Sequence, residues 1–130
     1  MNVLVGKKVS SRKQVTEELV RIFAEISGDK NPIHLDEKYA SQTRFKKRIA
    51  HGLYVSSFIS ALIANELPGA GTIYLDQSLS FKKPVYLGDW INTTVEVLEI
   101  NEKGIAKLRT ICLNDASDIV IEGFALVKVP

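Results

Sequence analysis

Cysteine is nearly absent from this chain. Cys112 stands alone, which excludes an intramolecular disulfide, and its place in an alternating apolar segment reads as a small buried hydrophobe. Histidine is almost as scarce, with only His34 and His51. No Cys/His cluster has zinc-ligand spacing, so no resident metal is expected. Charge of one sign is lacking too: 17 Lys and Arg against 15 Asp and Glu leave a net +2. So small an excess points to no polyanionic partner. The densest basic run, Arg44-Phe45-Lys46-Lys47-Arg48, has no series of stacking aromatics and reads as a solvated turn, so nucleic acid is not an expected partner. Long hydrophobic runs are missing as well. The most apolar stretch, residues 49–67, carries His51, Ser56, Ser57, Ser60, Asn65 and Glu66, which fits a buried helix and not a membrane span. The opening residues do not read as a signal peptide, and the expected address is the cytosol.

What is present is enough for one core. At 130 residues the chain is expected to form a single domain spanning 1–130. Gly6 to Ser10 reads as a short first strand or extended arm. Ser11 followed by Gln14 gives a capping-box pattern for a first helix, with Val15, Leu19, Ile22, Phe23 and Ile26 on its apolar face. Gly28 stops that helix, Asn31-Pro32 forces a turn, and Asp36 is placed to cap a short helix through Ser41. From Gly52 to about Glu66 the pattern is apolar nearly all round, as in a helix buried on most sides. Pro68-Gly69-Ala70-Gly71 ends it. The period then changes to two over Thr72–Phe81, Trp90–Glu99, Ile105–Asn114 and Ile119–Val129, separated by turn residues. Helices first and an antiparallel meander afterwards make the class α+β, a hydrophobic helix packed on a curved sheet.

The chemistry concentrates in Ser27-Gly28-Asp29-Lys30-Asn31-Pro32-Ile33-His34. A carboxylate and an imidazole five residues apart across a turn can share one water, and imidazole titrates near neutrality. Gly52 opens the long helix, where a backbone N–H lacks an intrahelical partner and the dipole is positive. Each residue also has a plainer role open to it. Asp29 and Asn31 can serve the turn, and His51 can be a hydrogen-bonded residue fixing the loop before Gly52. Ser60 can bond back to its own helix. Tyr54, Phe58 and Tyr74 read as core, Trp90 as packing, and Lys46, Lys47, Arg48, Lys82 and Lys83 as solvated, with some able to meet phosphate.

Three segments together carry a resemblance: Ser27-Gly28-Asp29-x-Asn31-Pro32-x-His34, then Ile49-Ala50-His51-Gly52, then Leu79-Ser80-Phe81-x-x-Pro84-Val85-x-x-Gly88-Asp89. Over about residues 5–130 the chain resembles the MaoC-type (R)-specific enoyl-CoA hydratases. The resemblance implies a hot dog fold, a long antiparallel sheet around one central helix, in a homodimer with acyl-CoA tunnels at or near the interface. It implies Asp29 and His34 as the catalytic pair, Gly52 as oxyanion donor and Ser60 as lining the site; Asn31 and His51 are read from their own positions as supporting residues. It implies no cofactor, coenzyme A being part of the substrate. A 3-hydroxyacyl-acyl-carrier-protein dehydratase using the same residues remains the nearest alternative. A non-catalytic acyl-thioester-binding or heterodimer-forming subunit is a further one.

Overall fold

The computed structural model describes residues 3–130. Strand β1 (Lys8–Gln14) is followed by helices α1 (Glu17–Ser27), α2 (Pro32–Leu35), α3 (Glu37–Ser41) and α4 (Gly52–Asn65), and then by strands β2 (Ile73–Gln77), β3 (Ser80–Phe81), β4 (Trp90–Ile100), β5 (Ile105–Leu113) and β6 (Ile119–Lys128). All six strands join one antiparallel sheet of order β1-β4-β5-β6-β2, with β3 also on β6. Helix α4 packs on the face made by β4, β5 and β1. This is the α+β hot dog architecture. No helix among the described residues is long and apolar enough to cross a membrane.

The strand pattern explains the packing. On β4 the inward positions Ile91, Thr93, Val95 and Val97 alternate with half-exposed neighbours, and on β5 Ala106, Leu108, Thr110 and Cys112 do the same. They meet Val55, Phe58, Ile59, Leu62 and Ile63 of α4 in one core. Each aliphatic side chain buried there contributes roughly 1.5–3 kcal/mol relative to exposure. Cys112 is fully buried, and burial pushes its thiol up to about 11. The two inward threonines are satisfied. Thr110 Oγ1 accepts from Gln77 Nε2 at 3.0 Å, and Thr93 Oγ1 lies 3.6 Å from Cys112 Sγ.

The first thirty residues depart from the periodic reading. Ser11 and Gln14 do not cap a helix: they lie in β1, opposite Thr93 and Trp90 of β4. The strand therefore runs past Ser10 to Gln14, and the cap of α1 is Thr16, whose Oγ1 accepts from the Leu19 N–H at 3.2 Å. Val15 is buried ahead of the helix, while Val20 and Ala24 form its inward stripe. Leu19, Ile22 and Ile26 are exposed, Ile26 by 77 %. The physical reason is that β4 is long enough to pair seven residues of β1, which moves the helix start and rotates its face. Two other expectations also change. Thr72–Phe81 is broken at Ser78-Leu79 into β2 and β3, and Tyr74 is 40 % exposed on the edge strand instead of in the core. Trp90 is partly exposed at the start of β4, with the Arg12 guanidinium 4.2 Å above its ring.

Candidate active site

Gly28 in the left-handed region (φ 79°) ends α1, its N–H bonding Ala24 O, and turns the chain so that Asp29 leaves the helix axis. Asp29 Oδ1 accepts from the Asn31 N–H at 3.3 Å, and Asn31 Oδ1 in turn accepts from the Ile33 N–H at 3.1 Å, capping α2 with Pro32 at its first position. Asn31 thus supports the turn and does not line the cavity. One residue beyond Ile33, His34 points inward. Its Nδ1 lies 2.7 Å from Ile49 O. A carbonyl only accepts, so Nδ1 carries the hydrogen and Nε2 keeps its lone pair.

Behind this turn sits Arg48. The basic-run reading made it solvated; it is in fact buried, donating through Nε to His34 O at 2.9 Å and pairing with Glu17. Burial works against the Glu17 charge, but the Arg48 and Arg21 guanidiniums outweigh it and hold its carboxyl below the usual range. The start of α1 is thereby tied to the backbone of the histidine. Lys82 and Lys83 are exposed, near Glu122 and Asp118.

Asp29, His34 and His51 converge. One ligand-type atom of each lies within 4.8 Å of the others. The two imidazoles stack, centroids 3.8 Å apart and planes 29° from parallel. A bridging ion would have to lie near both ring planes at about 2.0–2.1 Å from each nitrogen, which rings stacked this way do not allow. The spacing suits a water instead. Two hydrogen bonds of about 2.8 Å meeting near the tetrahedral angle span roughly 4.6 Å. Asp29 Oδ1 and His34 Nδ1 bond to backbone groups and, among the described residues, not to each other.

The three residues face a cavity of about 430 Å³ that is also lined by Gly52, Leu53, Phe81 and Val85, with Arg44, Lys82 and Lys83 among its cationic edge residues. Gly52 is the first residue of α4. The cap residue His51 makes no side-chain cap, and Val55 is the first N–H of the helix to find a carbonyl, His51 O at 3.2 Å. The Gly52 N–H therefore has no helical partner. A Cβ at Gly52 would lie 2.5 Å from the Phe81 ring, so a glycine here lets that ring pack directly against the start of α4. Ser60, two turns further along α4, is exposed and outside this cavity within a single chain.

The sequence profile described as MaoC like domain matches residues 3–116. The chain belongs to the MaoC-like domain family. It is 46 % identical over 126 residues to an (R)-specific enoyl-CoA hydratase of Rhodospirillum rubrum, covering 96 % of this chain and 87 % of that one. To the (R)-specific enoyl-CoA hydratase of Aeromonas caviae it is 42 % identical over 127 residues, with 97 % and 95 % covered. The solved (R)-hydratase from A. caviae involved in PHA biosynthesis superposes with a TM-score of 0.97 over 98 % of both chains.

Two features of this MaoC-like site escape sequence reasoning. Phe81 enters the cavity because β3 is a two-residue strand, and nothing in its local pattern separates it from β2. Arg48 is hidden within a run of solvated cations, where only its pairing with Glu17 sets it apart.

Proposed function

We propose that this protein catalyses the reversible, (R)-specific hydration of trans-2-enoyl-CoA thioesters to (R)-3-hydroxyacyl-CoA. The observation that carries the reading is the convergence of Asp29 and His34, their ligand-type atoms within 4.8 Å, on the same cavity as the Gly52 N–H at the start of α4. A water held there gives up a proton to His34 Nε2 as its oxygen bonds to C3. The thioester oxygen gains enolate character opposite the Gly52 N–H, and a proton passes from the acid–base pair to C2 on the same face. The water supplies both the hydroxyl and the new C–H, so the two side chains end as they began and the addition is syn. Each positioned acid–base group typically contributes about 10²–10⁴-fold, and one oxyanion donor roughly 3 kcal/mol. Coenzyme A enters only as part of the substrate, no other cofactor is required, and the cytosol is the setting in which we place the enzyme.

The assay is loss of enoyl-thioester absorbance with crotonyl-CoA, with the chirality of the product determined. Turnover to the (R)-alcohol supports the proposal. A folded protein inert on crotonyl-CoA but active on the matching acyl-carrier-protein thioester would replace it with the dehydratase reading. The same assay carries a pH prediction. Burial lowers the His34 pKa below 6.5; the bond to Ile49 O opposes this, His51 adds to it, and Asp29 opposes it. Because the base must be neutral, the acid limb of kcat/KM should have its midpoint below 6.5. The stability linkage has the same sign. The unfolded chain binds this proton first, so the contribution of neutral His34 is complete above 6.5 and is lost as pH falls through the folded value.

We also infer a homodimer. Strand β2 lies at the sheet edge, pairs only with β6 among the described residues, and exposes Ile73, Tyr74 and Leu75. An unpaired apolar edge of this kind favours pairing with a second copy. Sedimentation should give twice the 14.4 kDa chain mass; a fully active monomer would refute the assembly.

A further inference from the structure

His51 occupies the cap position of α4, where Ser, Thr, Asp or Asn would satisfy a free N–H of the first turn. Its side chain makes no such bond. The ring instead turns back across the cavity to the α1–α2 turn, where Nε2 lies 2.9 Å from the backbone oxygen of Asp29. That oxygen can only accept, so in the neutral ring Nε2 carries the hydrogen and Nδ1 a lone pair. Nδ1 is buried and has no partner among the described residues. A buried nitrogen left unpaired costs stability. Bracing the loop uses only the Nε2 hydrogen and leaves Nδ1 with no part in the turn.

The same ring is stacked 3.8 Å from His34 and lies 4.8 Å from Phe23, and it is 2 % exposed. It therefore touches both halves of the acid–base pair, through the backbone of Asp29 and through the ring face of His34. We propose that His51 is a positioning residue for the hydration: one imidazole fixes the separation of Asp29 and His34 and shields the His34 ring from bulk water. The proposal rests on the hydratase reading above and adds a role for a residue that does not touch the reacting atoms.

The ionisable surroundings of His34 are few enough to interpret. Asp29 faces it from the turn after α1 and His51 from the start of α4. The Arg48 guanidinium holds its carbonyl, with Glu17 behind. Arg44, Lys82 and Lys83 line the outer cavity. Burial is the leading cause of its lowered pKa, and the stacked His51 ring is one of the groups in contact with it.

Two variants divide the role. His51→Leu fills the space but cannot donate, and His51→Gln places an N–H close to where Nε2 lies. With only two histidines in the chain, nitrogen-15 and ring C–H resonances resolve both without activity. The native protein should show His51 as the Nε2–H tautomer. Leucine should lower kcat on the order of 10²-fold, with KM for crotonyl-CoA little changed and the melting temperature near native. Glutamine should recover most of kcat. Its narrower side chain also admits water to the His34 ring, so the His34 titration and the acid limb of kcat/KM should rise together toward 6.5.

An Nδ1–H tautomer of His51, native kcat and pH profile in His51→Leu, or equal losses in both variants would each overturn the proposal. If His51→Leu fails to fold, the native tautomer and the His51→Gln profile still decide. If the native protein does not turn over crotonyl-CoA, the hydratase reading fails separately, and the tautomer and the His34 titration still test the geometry assigned to His51.

Discussion

Asp29→Asn is expected to lower kcat for crotonyl-CoA hydration by about 10²–10⁴-fold while leaving the fold intact. The reason lies in how the carboxylate is held. Asp29 Oδ1 accepts from the Asn31 N–H, and an asparagine oxygen can accept the same bond, so the turn should survive. What is lost is the negative charge beside the shared water and a group able to exchange its proton. His34→Asn makes the complementary change. Its amide can donate to Ile49 O as Nδ1–H does, but it offers no Nε2 lone pair. The two losses should not add. Both side chains act on one water, so the double variant should be barely slower than the worse single one. Near-native kcat in Asp29→Asn, with unchanged circular dichroism, would remove the carboxylate from the mechanism; strictly multiplicative losses would mean that the two groups act on different atoms.

The legibility of this pair in the sequence has a physical basis. Gly28 permits the left-handed helix end, Asn31 caps the next helix and Pro32 fixes its own φ, so eight residues define one turn with little help from the rest of the chain, and the contents of that turn are chemical. The long central helix was equally legible, because large apolar residues spread around nearly its whole circumference, with small Ala and Ser between, leave little alternative to burial. The interior strands were legible through their alternation, to within a residue or two at their ends. What could not be read depends on partners far along the chain. The Ser11-Gln14 pattern has the chemistry of a cap, but β4 claims those residues for the sheet, and a ladder of seven pairs outweighs a single capping interaction of about 1 kcal/mol. Arg48 resembles its neighbours until Glu17, 31 residues earlier, is folded against it. His51 was legible as a loop-fixing histidine, but its contact with both Asp29 and His34 exists only when the turn after α1 meets the start of α4. The placement of Ser60 on an open face of α4 likewise depends on what that face meets.

The break between β2 and β3 leads to the second large expectation, at Gly123. A glycine in the interior of a strand often marks a close backbone approach, and here the approach is by Ser78. Its N–H donates to Phe124 O at 2.9 Å, while its Oγ accepts from the Phe124 N–H at 2.9 Å. A Cβ on Gly123 would lie 1.8 Å from Ser78 O and 2.6 Å from its carbonyl carbon. The obstructing atoms are main chain and cannot rotate away, so Gly123→Ala must push the β2–β3 junction off β6. A loss at or above the upper end of the overpacking range is expected, about 3 kcal/mol or more, which for a domain of this size lowers the melting temperature by roughly 10 °C. The effect should reach the site, because Phe81 is three residues beyond Ser78 and its ring closes over Gly52. Whatever fraction of Gly123→Ala remains folded should therefore bind crotonyl-CoA more weakly, with a raised KM, although Gly123 does not line the cavity. Thermal melting and steady-state kinetics on the same preparation separate the two effects. A melting temperature within 2 °C of native would show that the strands are not in contact at this point. A large destabilisation with native KM would show that Phe81 is held over Gly52 independently of the junction.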